Sequence, residues 1–75
     1  MKAKLSSDIK PQKVIKALER LGFKKHKKRG SHIHLKHSDG RWTQVSVHPK
    51  PVPKGTLGKI LGQAEISHQE FLENL

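Results

Sequence analysis

The chain of 75 residues has no cysteine and no tyrosine, and its aromatic residues are two phenylalanines and one tryptophan. Without cysteine, neither a disulfide framework nor a thiolate zinc site can form. No apolar run approaches the roughly 20 residues that a membrane-spanning helix needs. The segment 1–5 lacks the apolar stretch of a secretory signal, so we expect a cytoplasmic protein with no membrane partner. A chain this short is expected to form one domain, residues 1–75, with a thin core.

Acidic residues are also scarce. Sixteen lysines and arginines oppose six aspartates and glutamates, which gives a formal net charge of +10, and the segment 61–75 contains none of the cations. Self-repulsion destabilises so basic a chain, and a polyanionic partner offsets it. Nucleic acid is therefore the first partner class to consider, and a basic surface that only maintains solubility is the alternative. The acids are scattered, with no carboxylate pair for a two-metal nuclease, so we expect no cofactor.

The sequence predicts one helix before the centre of the chain and one after it. Pro11 suits the first helical position, and apolar residues then recur every three or four positions until Gly22, which suits a helix end. These features predict a helix over 11–21. A second helix is predicted to begin with Thr56 as its cap and to run to about Ala64.

A short third helix is predicted at the C-terminal end. The four residues Ser-His-Gln-Glu at 67–70 form a capping box, in which the serine and glutamate satisfy each other's free backbone N–H groups. Phe71, Leu72 and Leu75 are expected to form its apolar side.

Three strands are predicted between the first two helices. The segment 23–29 is short and very basic, whereas 31–37 and 41–48 alternate between polar and apolar residues. Asp39 and Gly40 favour a tight hairpin turn between the alternating strands, because such turns need positive φ angles.

The alternation divides the predicted sheet into two faces. Ile33 and Leu35 share one face with Val45 and Val47, and this is the only surface adequate to cover the helices. The predicted fold is thus α+β: an α-β-β-β-α two-layer sandwich, with helices on one face of an antiparallel three-stranded sheet and a short extra C-terminal helix. The other face holds His32, His34, Lys36, Trp42, Gln44, Ser46 and His48. Folding does not need that face, so it is the best candidate for contact or chemistry, although a one-residue slip in register would reverse the assignment.

The basic strand is the strongest sign of a polyanion partner. Its cations are Lys24, Lys25, Lys27, Lys28 and Arg29. If about five of them contacted phosphates of a duplex, affinity would fall several-hundredfold between 50 and 200 mM salt. We predict that they contact RNA phosphates together with Ser31; a solvated surface is the alternative.

Histidines follow the basic strand directly. Because imidazole titrates near neutrality, His32 in the segment Gly-Ser-His is a candidate general acid or base for RNA cleavage, with His34 and His48 as auxiliary candidates. The same three histidines could instead hold a metal, although such a site would lack a clear carboxylate. Trp42 is another auxiliary candidate, which either stacks on a base or packs at a protein interface.

The chain resembles the HicA-type toxins, the mRNA interferases of HicA–HicB toxin–antitoxin modules. The segments that carry the resemblance are VIKALERLGF (14–23), RGSH (29–32), VSVH (45–48), GTL (55–57) with IL (60–61), and IS (66–67) with EFL (70–72). The resemblance implies a fold similar to double-stranded-RNA-binding domains, an endoribonuclease that cuts mRNA, and a HicB-type antitoxin as partner. The family's catalytic histidine lies in the Gly-Ser-His segment, so that role passes to His32.

The sequence departs from the family at a few positions. The family usually has a glycine where this chain has Glu65, which leaves the end of the second helix uncertain. Ile33 replaces a frequent second histidine, and Pro11 replaces small polar residues. A non-catalytic RNA-binding module and a protein-interaction domain remain as alternative functions at this point.

Overall fold

The computed structural model describes residues 8–75 and contains three helices and three strands within that range. In chain order they are α1 (Pro11–Arg20), β1 (Phe23–Arg29), β2 (His32–His37), β3 (Trp42–Ser46), α2 (Lys54–Ala64) and α3 (His68–Glu73). The strands form one antiparallel sheet in the order β1-β2-β3. The predicted α-β-β-β-α order and the additional C-terminal helix are confirmed.

Helix α1 begins at Pro11, as predicted, and ends one residue earlier than predicted. Its buried side is Pro11, Val14, Ile15, Ala17 and Leu18. Leu21 follows as the C-cap, half-buried against the core. Gly22 then takes a φ of +100°, a left-handed conformation that ends the helix and turns the chain into β1.

Helix α2 corrects the predicted boundary at its start. It begins at Lys54 with Pro53 as the N-cap, so Thr56 lies inside the helix and does not cap it. At the other end Glu65 adopts the left-handed conformation, with φ +55° and ψ +45°, and its N–H bonds to the carbonyl of Gly62. The helix therefore ends at the position where the HicA-type toxins usually have a glycine. Here that position holds Glu65, whose Cβ makes the left-handed conformation less favourable.

Helix α3 has the predicted capping box. The Ser67 hydroxyl accepts the N–H of Glu70 at 3.1 Å, and the Glu70 carboxylate accepts the N–H of Ser67 at 3.3 Å. Phe71 is fully buried and Leu72 partly so. Leu75 was expected on the same apolar side, but it lies beyond the last helical residue and is 46% exposed.

The core lies between the helices and one face of the sheet. Helix α1 packs on β1 and β3, α2 packs on β3, and α3 packs on α2. Leu35 and Val45 are buried beneath the helices, and Ile33 and Val47 are partly buried at the margin. Thr43 is the buried polar residue of this face; its hydroxyl donates to the carbonyl of Ile60 at 3.0 Å. The register thus places the apolar alternation against the helices, as predicted.

The hairpin between β2 and β3 is joined to α2 by one arginine. The Nε of Arg41 donates to the carboxylate of Asp39 at 2.8 Å, and its terminal nitrogen donates to the carbonyl of Ala64 at 3.1 Å. Its guanidinium also lies 5.4 Å from the ring centre of Phe23. The backbone N–H of Arg41, reinforced by the guanidinium, holds the pKa of Asp39 below its ordinary value.

These layers give an α+β sandwich like that of double-stranded-RNA-binding domains, with one sheet face covered by helices and the other left open. Within residues 8–75, no helix is long and apolar enough to cross a membrane. The expectation that residues 1–5 are not a signal sequence concerns a segment outside the described residues.

Candidate functional site

The open face of the sheet consists of three rows of side chains, each row crossing all three strands. Residues that are paired across neighbouring strands point to the same face, with Cβ atoms about 5 Å apart. The rows are Arg29–His32–Ser46, Lys27–His34–Gln44 and Lys24–Lys36–Trp42. None of the three strands contains an aspartate or glutamate. Every row of the face therefore contains a cation, and two histidines lie on its central strand.

The first row contains the predicted catalytic histidine. A two-residue turn, Gly30-Ser31, joins β1 to β2, so Arg29 and His32 lie directly opposite each other. On the other side, His32 pairs with Ser46 of β3, and the carbonyl of Ser31 accepts the N–H of Val47. His32 is exposed to solvent. An exposed imidazole can transfer a proton to or from an oxygen of a bound ligand, and a guanidinium opposite it can bind an anionic group of the same ligand.

The second row depends on an irregularity in strand pairing that the sequence pattern does not predict. The pairing of β1 with β2 shifts between Lys25 and Lys27, so His26 is an extra, unpaired residue in β1. Such a bulge places two residues of one strand opposite one residue of its partner. Without it, strict alternation would turn Lys27 and Arg29 to the helix side. With it, both lie on the face of His32.

The bulge also divides the predicted phosphate-binding set. Lys24, Lys27 and Arg29 lie on the open face, whereas Lys25 pairs with Leu35 and Lys28 pairs with Ile33, on the face that the helices cover. Because β1 is at the margin of the sheet, both of these lysines remain exposed beyond the helix layer. The five cations therefore form two groups that point in opposite directions.

His48 does not lie on the sheet, although the third strand was predicted to run to it. Strand β3 ends at Ser46, and one further bond, from the N–H of Val47, closes the pairing before Pro49. Proline has no N–H to continue the pairing. His48 is exposed in the loop that follows. It lines a mainly apolar cavity of about 380 Å³ together with Ser46 and Ile60, so Ser46 borders both His32 and this cavity.

The histidines do not form a ligand cluster. Over residues 8–75, no group of three or more histidine, aspartate or glutamate side chains is placed to hold a metal ion. His34 and His32 lie two residues apart on one strand face, and His48 lies beyond the strand end. Imidazoles in this arrangement are available for proton transfer or for contact with a ligand.

Sequence reasoning missed three features of the site: the bulge at His26, the pairing of Ser46 with His32, and the exclusion of His48 from β3. A signal for the last was available, since Pro49 directly follows His48. No signal was available for the bulge, because every residue after Phe23 in this strand is polar and shows no alternation.

Comparison with models of known protein families identifies a match. A family model described as the HicA toxin of bacterial toxin–antitoxin systems matches residues 11–66, which is more than half of the chain and spans all three strands and helices α1 and α2. No curated protein sequence matches the chain.

Proposed function

Because the chain belongs to the HicA toxin family of bacterial toxin–antitoxin systems, it is a toxin, and we propose that it acts as a metal-independent endoribonuclease on mRNA. His32 is the general acid or base of the reaction. The observation that carries this proposal is the first row of the open face, where an exposed histidine lies opposite an arginine on strands that contain no carboxylate.

The proposed reaction uses the RNA's own hydroxyl as nucleophile. A base removes the proton of the 2′-OH, the oxygen attacks the adjacent phosphorus, and an acid protonates the departing 5′-oxygen. The products are a 2′,3′-cyclic phosphate and a 5′-hydroxyl. One positioned acid or base contributes about 10²–10⁴-fold to the rate. Arg29 pairs with His32, and in this proposal its guanidinium stabilises the negative charge that builds up on the phosphoryl oxygens.

RNA binding is assigned to the cations that share the face. Lys24, Lys27 and Arg29 contact phosphates, and Ser31, in the turn before His32, contributes a hydroxyl next to the cleaved bond. His34 is the auxiliary histidine nearest to His32 on the same face. Lys25 and Lys28 act at longer range, through the field of the whole basic strand.

The partner of this toxin is an antitoxin, as in the other members of the family, and we assign it to the HicB type. The open face is the surface that such an antitoxin has to cover, since occupation of the first row blocks RNA from His32. An acidic antitoxin surface would complement this face, which has no acidic residue on its strands.

The decisive experiment is cleavage of a long single-stranded RNA in EDTA by the native protein and by its His32→Ala variant. The native protein is expected to cut and to leave 2′,3′-cyclic phosphate ends, and His32→Ala to lose at least about a hundredfold in rate. His68→Ala is the matched control. His68 is an exposed histidine at the start of α3, away from the sheet, so its loss should leave cleavage unchanged.

Circular dichroism of each variant establishes that the fold is retained. If folded His32→Ala cuts as fast as the native protein, the assignment of His32 is wrong. If neither protein cuts RNA but both bind it with a steep salt dependence, the protein is a non-catalytic RNA-binding module. RNA binding that is weak and insensitive to salt would instead indicate a protein-interaction domain.

A further inference from the structure

Trp42 is an unusual residue to find on the open face. It is the only tryptophan of the chain, and it begins β3 with half of its surface exposed. Among residues 8–75, the other large hydrophobic side chain with comparable exposure is Leu75, at the end of the chain. Burial of an aromatic side chain stabilises a fold, and Trp42 leaves about half of that gain unrealised. The fold therefore does not explain why a tryptophan stands at this position.

Trp42 has two lysines in its row and a cavity next to it. It pairs with Lys36, which in turn pairs with Lys24, so two lysines lie in its row. An open cavity of about 220 Å³ lies beside the ring and is lined by His26, His34, Leu35, Lys36 and Trp42. That volume is below the range of pockets for drug-sized ligands, and it suits a single flat ring.

We propose that Trp42 is a stacking platform for one unpaired base of an RNA strand whose flanking phosphates are held by Lys24 and Lys36. This inference rests on the proposed function, and it adds a second point of contact away from the cleaved bond. An aromatic face beside lysines complements both parts of a nucleotide, the flat base and the anionic phosphate. The partner base has to be unpaired, because the bases of a duplex already stack on one another.

The distance between the two contacts defines the length of RNA involved. Lys36, the strand partner of Trp42, lies four residues from His32 along β2, or about 13 Å at 3.3 Å per residue. This distance corresponds to about four nucleotides of a stacked strand at 3.4 Å each. Trp42 consequently acts as a positioning residue on long RNA, and a dinucleotide bound at His32 cannot reach it.

Binding is measured on the full-length His32→Ala protein, which keeps the RNA intact during the titration. The probe is a single-stranded RNA of ten nucleotides, and the signal is the fluorescence of the protein's one tryptophan. Stacking should quench this fluorescence and protect the ring from acrylamide. For the substitutions at position 42, a fluorescent label on the RNA replaces the tryptophan signal.

Substitutions of Trp42, made in the His32→Ala protein, test whether its aromatic ring contributes to RNA affinity. Trp42→Ala is expected to weaken binding of the single strand about 5- to 150-fold, the range that corresponds to 1–3 kcal/mol of stacking per base. Trp42→Phe should recover most of the affinity because it restores an aromatic face. Leu75→Ala is the matched control, since it removes the other large exposed apolar side chain among residues 8–75. It should leave the affinity for the single strand unchanged.

Cleavage by the otherwise native protein provides an independent readout. Trp42→Ala should lower kcat/KM on the long RNA but leave cleavage of a dinucleotide unchanged. Equal losses on both substrates would show a general defect at His32 and would overturn the positioning role.

Unchanged binding and unchanged cleavage in folded Trp42→Ala would overturn the stacking proposal while leaving the endoribonuclease intact. If the same variant lost only its capture by the antitoxin, Trp42 would be a protein contact, and the proposal would again be wrong. If the parent protein neither bound nor cut RNA, the proposed function would fail, and the stacking proposal with it.

Discussion

Lys27 lies directly opposite His34, and it does so because His26 is an extra residue in β1. The bulge turns the second half of the basic strand so that Lys27 and Arg29 project from the face of His32. Position in the fold, and not only charge, therefore distinguishes the cations of this strand from one another.

This arrangement predicts unequal effects of two double variants that change the net charge equally. Lys27→Gln with Arg29→Gln should reduce the salt slope of binding to single-stranded RNA by about 1.4, since each contact contributes about 0.7. Lys25→Gln with Lys28→Gln, on the opposite face, should reduce it by less than half as much. Fluorescence anisotropy between 50 and 300 mM salt, with both double variants made in the His32→Ala protein so that the RNA stays intact, measures both slopes. Equal slopes would contradict the division of the strand.

A side chain at Gly22 is predicted to destabilise the fold for two reasons, backbone strain and a clash. Its φ is +100°, and a Cβ there would lie 2.6 Å from Nε2 of His37. Gly40 has the same φ, but no atom lies within 4 Å of a Cβ built there. A comparison of the two glycines therefore separates the cost of backbone strain from the cost of the clash. Gly40→Ala should cost about 1–2 kcal/mol of unfolding free energy, from backbone strain alone. Gly22→Ala should cost clearly more, and His37→Ala should remove the excess; urea denaturation measures each value.

Glu65 occupies a left-handed position, with φ +55°, at the end of α2. Because glycine adopts this conformation without a steric penalty, Glu65→Gly is expected to stabilise the fold by about 1 kcal/mol. For a domain of this size that amounts to a rise in Tm of about 4–8 °C. Glu65→Ala keeps the Cβ and should gain nothing comparable. Thermal unfolding of the two variants side by side tests this, and a glycine variant no more stable than the alanine variant would contradict the strain.

Asp39 should make stability depend on acid pH. Its pKa is lower in the folded than in the unfolded protein, chiefly through the N–H of Arg41, bonded at 3.0 Å. The stabilising contribution is therefore complete above the unfolded pKa and is lost as the pH falls through the folded pKa. Urea unfolding at pH 6 and pH 2.5 should show a smaller drop for Asp39→Asn than for the native protein. Arg41→Gln should retain part of the drop, because its backbone N–H remains.

The regular parts of the fold were predictable from local pattern. The spacing from Val14 to Leu18 identified α1, and the alternation from Ile33 to Val45 identified which face the helices cover. In both cases burial follows a period that the sequence repeats several times, so one irregular residue does not obscure it.

The sequence predictions fail where the apolar residues show no regular spacing. Every residue of β1 after Phe23 is polar, so the bulge leaves no trace in the pattern. The residue type of Thr56 predicts a cap, yet Pro53, with a φ of −59°, takes that position three residues earlier. At the site itself, the Gly-Ser-His segment and the resemblance both point to His32, whereas the pairing of His32 with Arg29 and Ser46 follows only from the register.

The place of β1 at the margin of the sheet has a consequence for the protein at high concentration. Within residues 8–75, no strand pairs with the outer side of β1, and an unpaired strand edge invites the edge of a second copy. Lysines along such an edge keep copies apart by mutual repulsion, whatever ligand the face binds. Neutralising all five cations of β1 at once should therefore produce aggregation as well as loss of RNA affinity. Substitutions made two at a time keep these two effects separate.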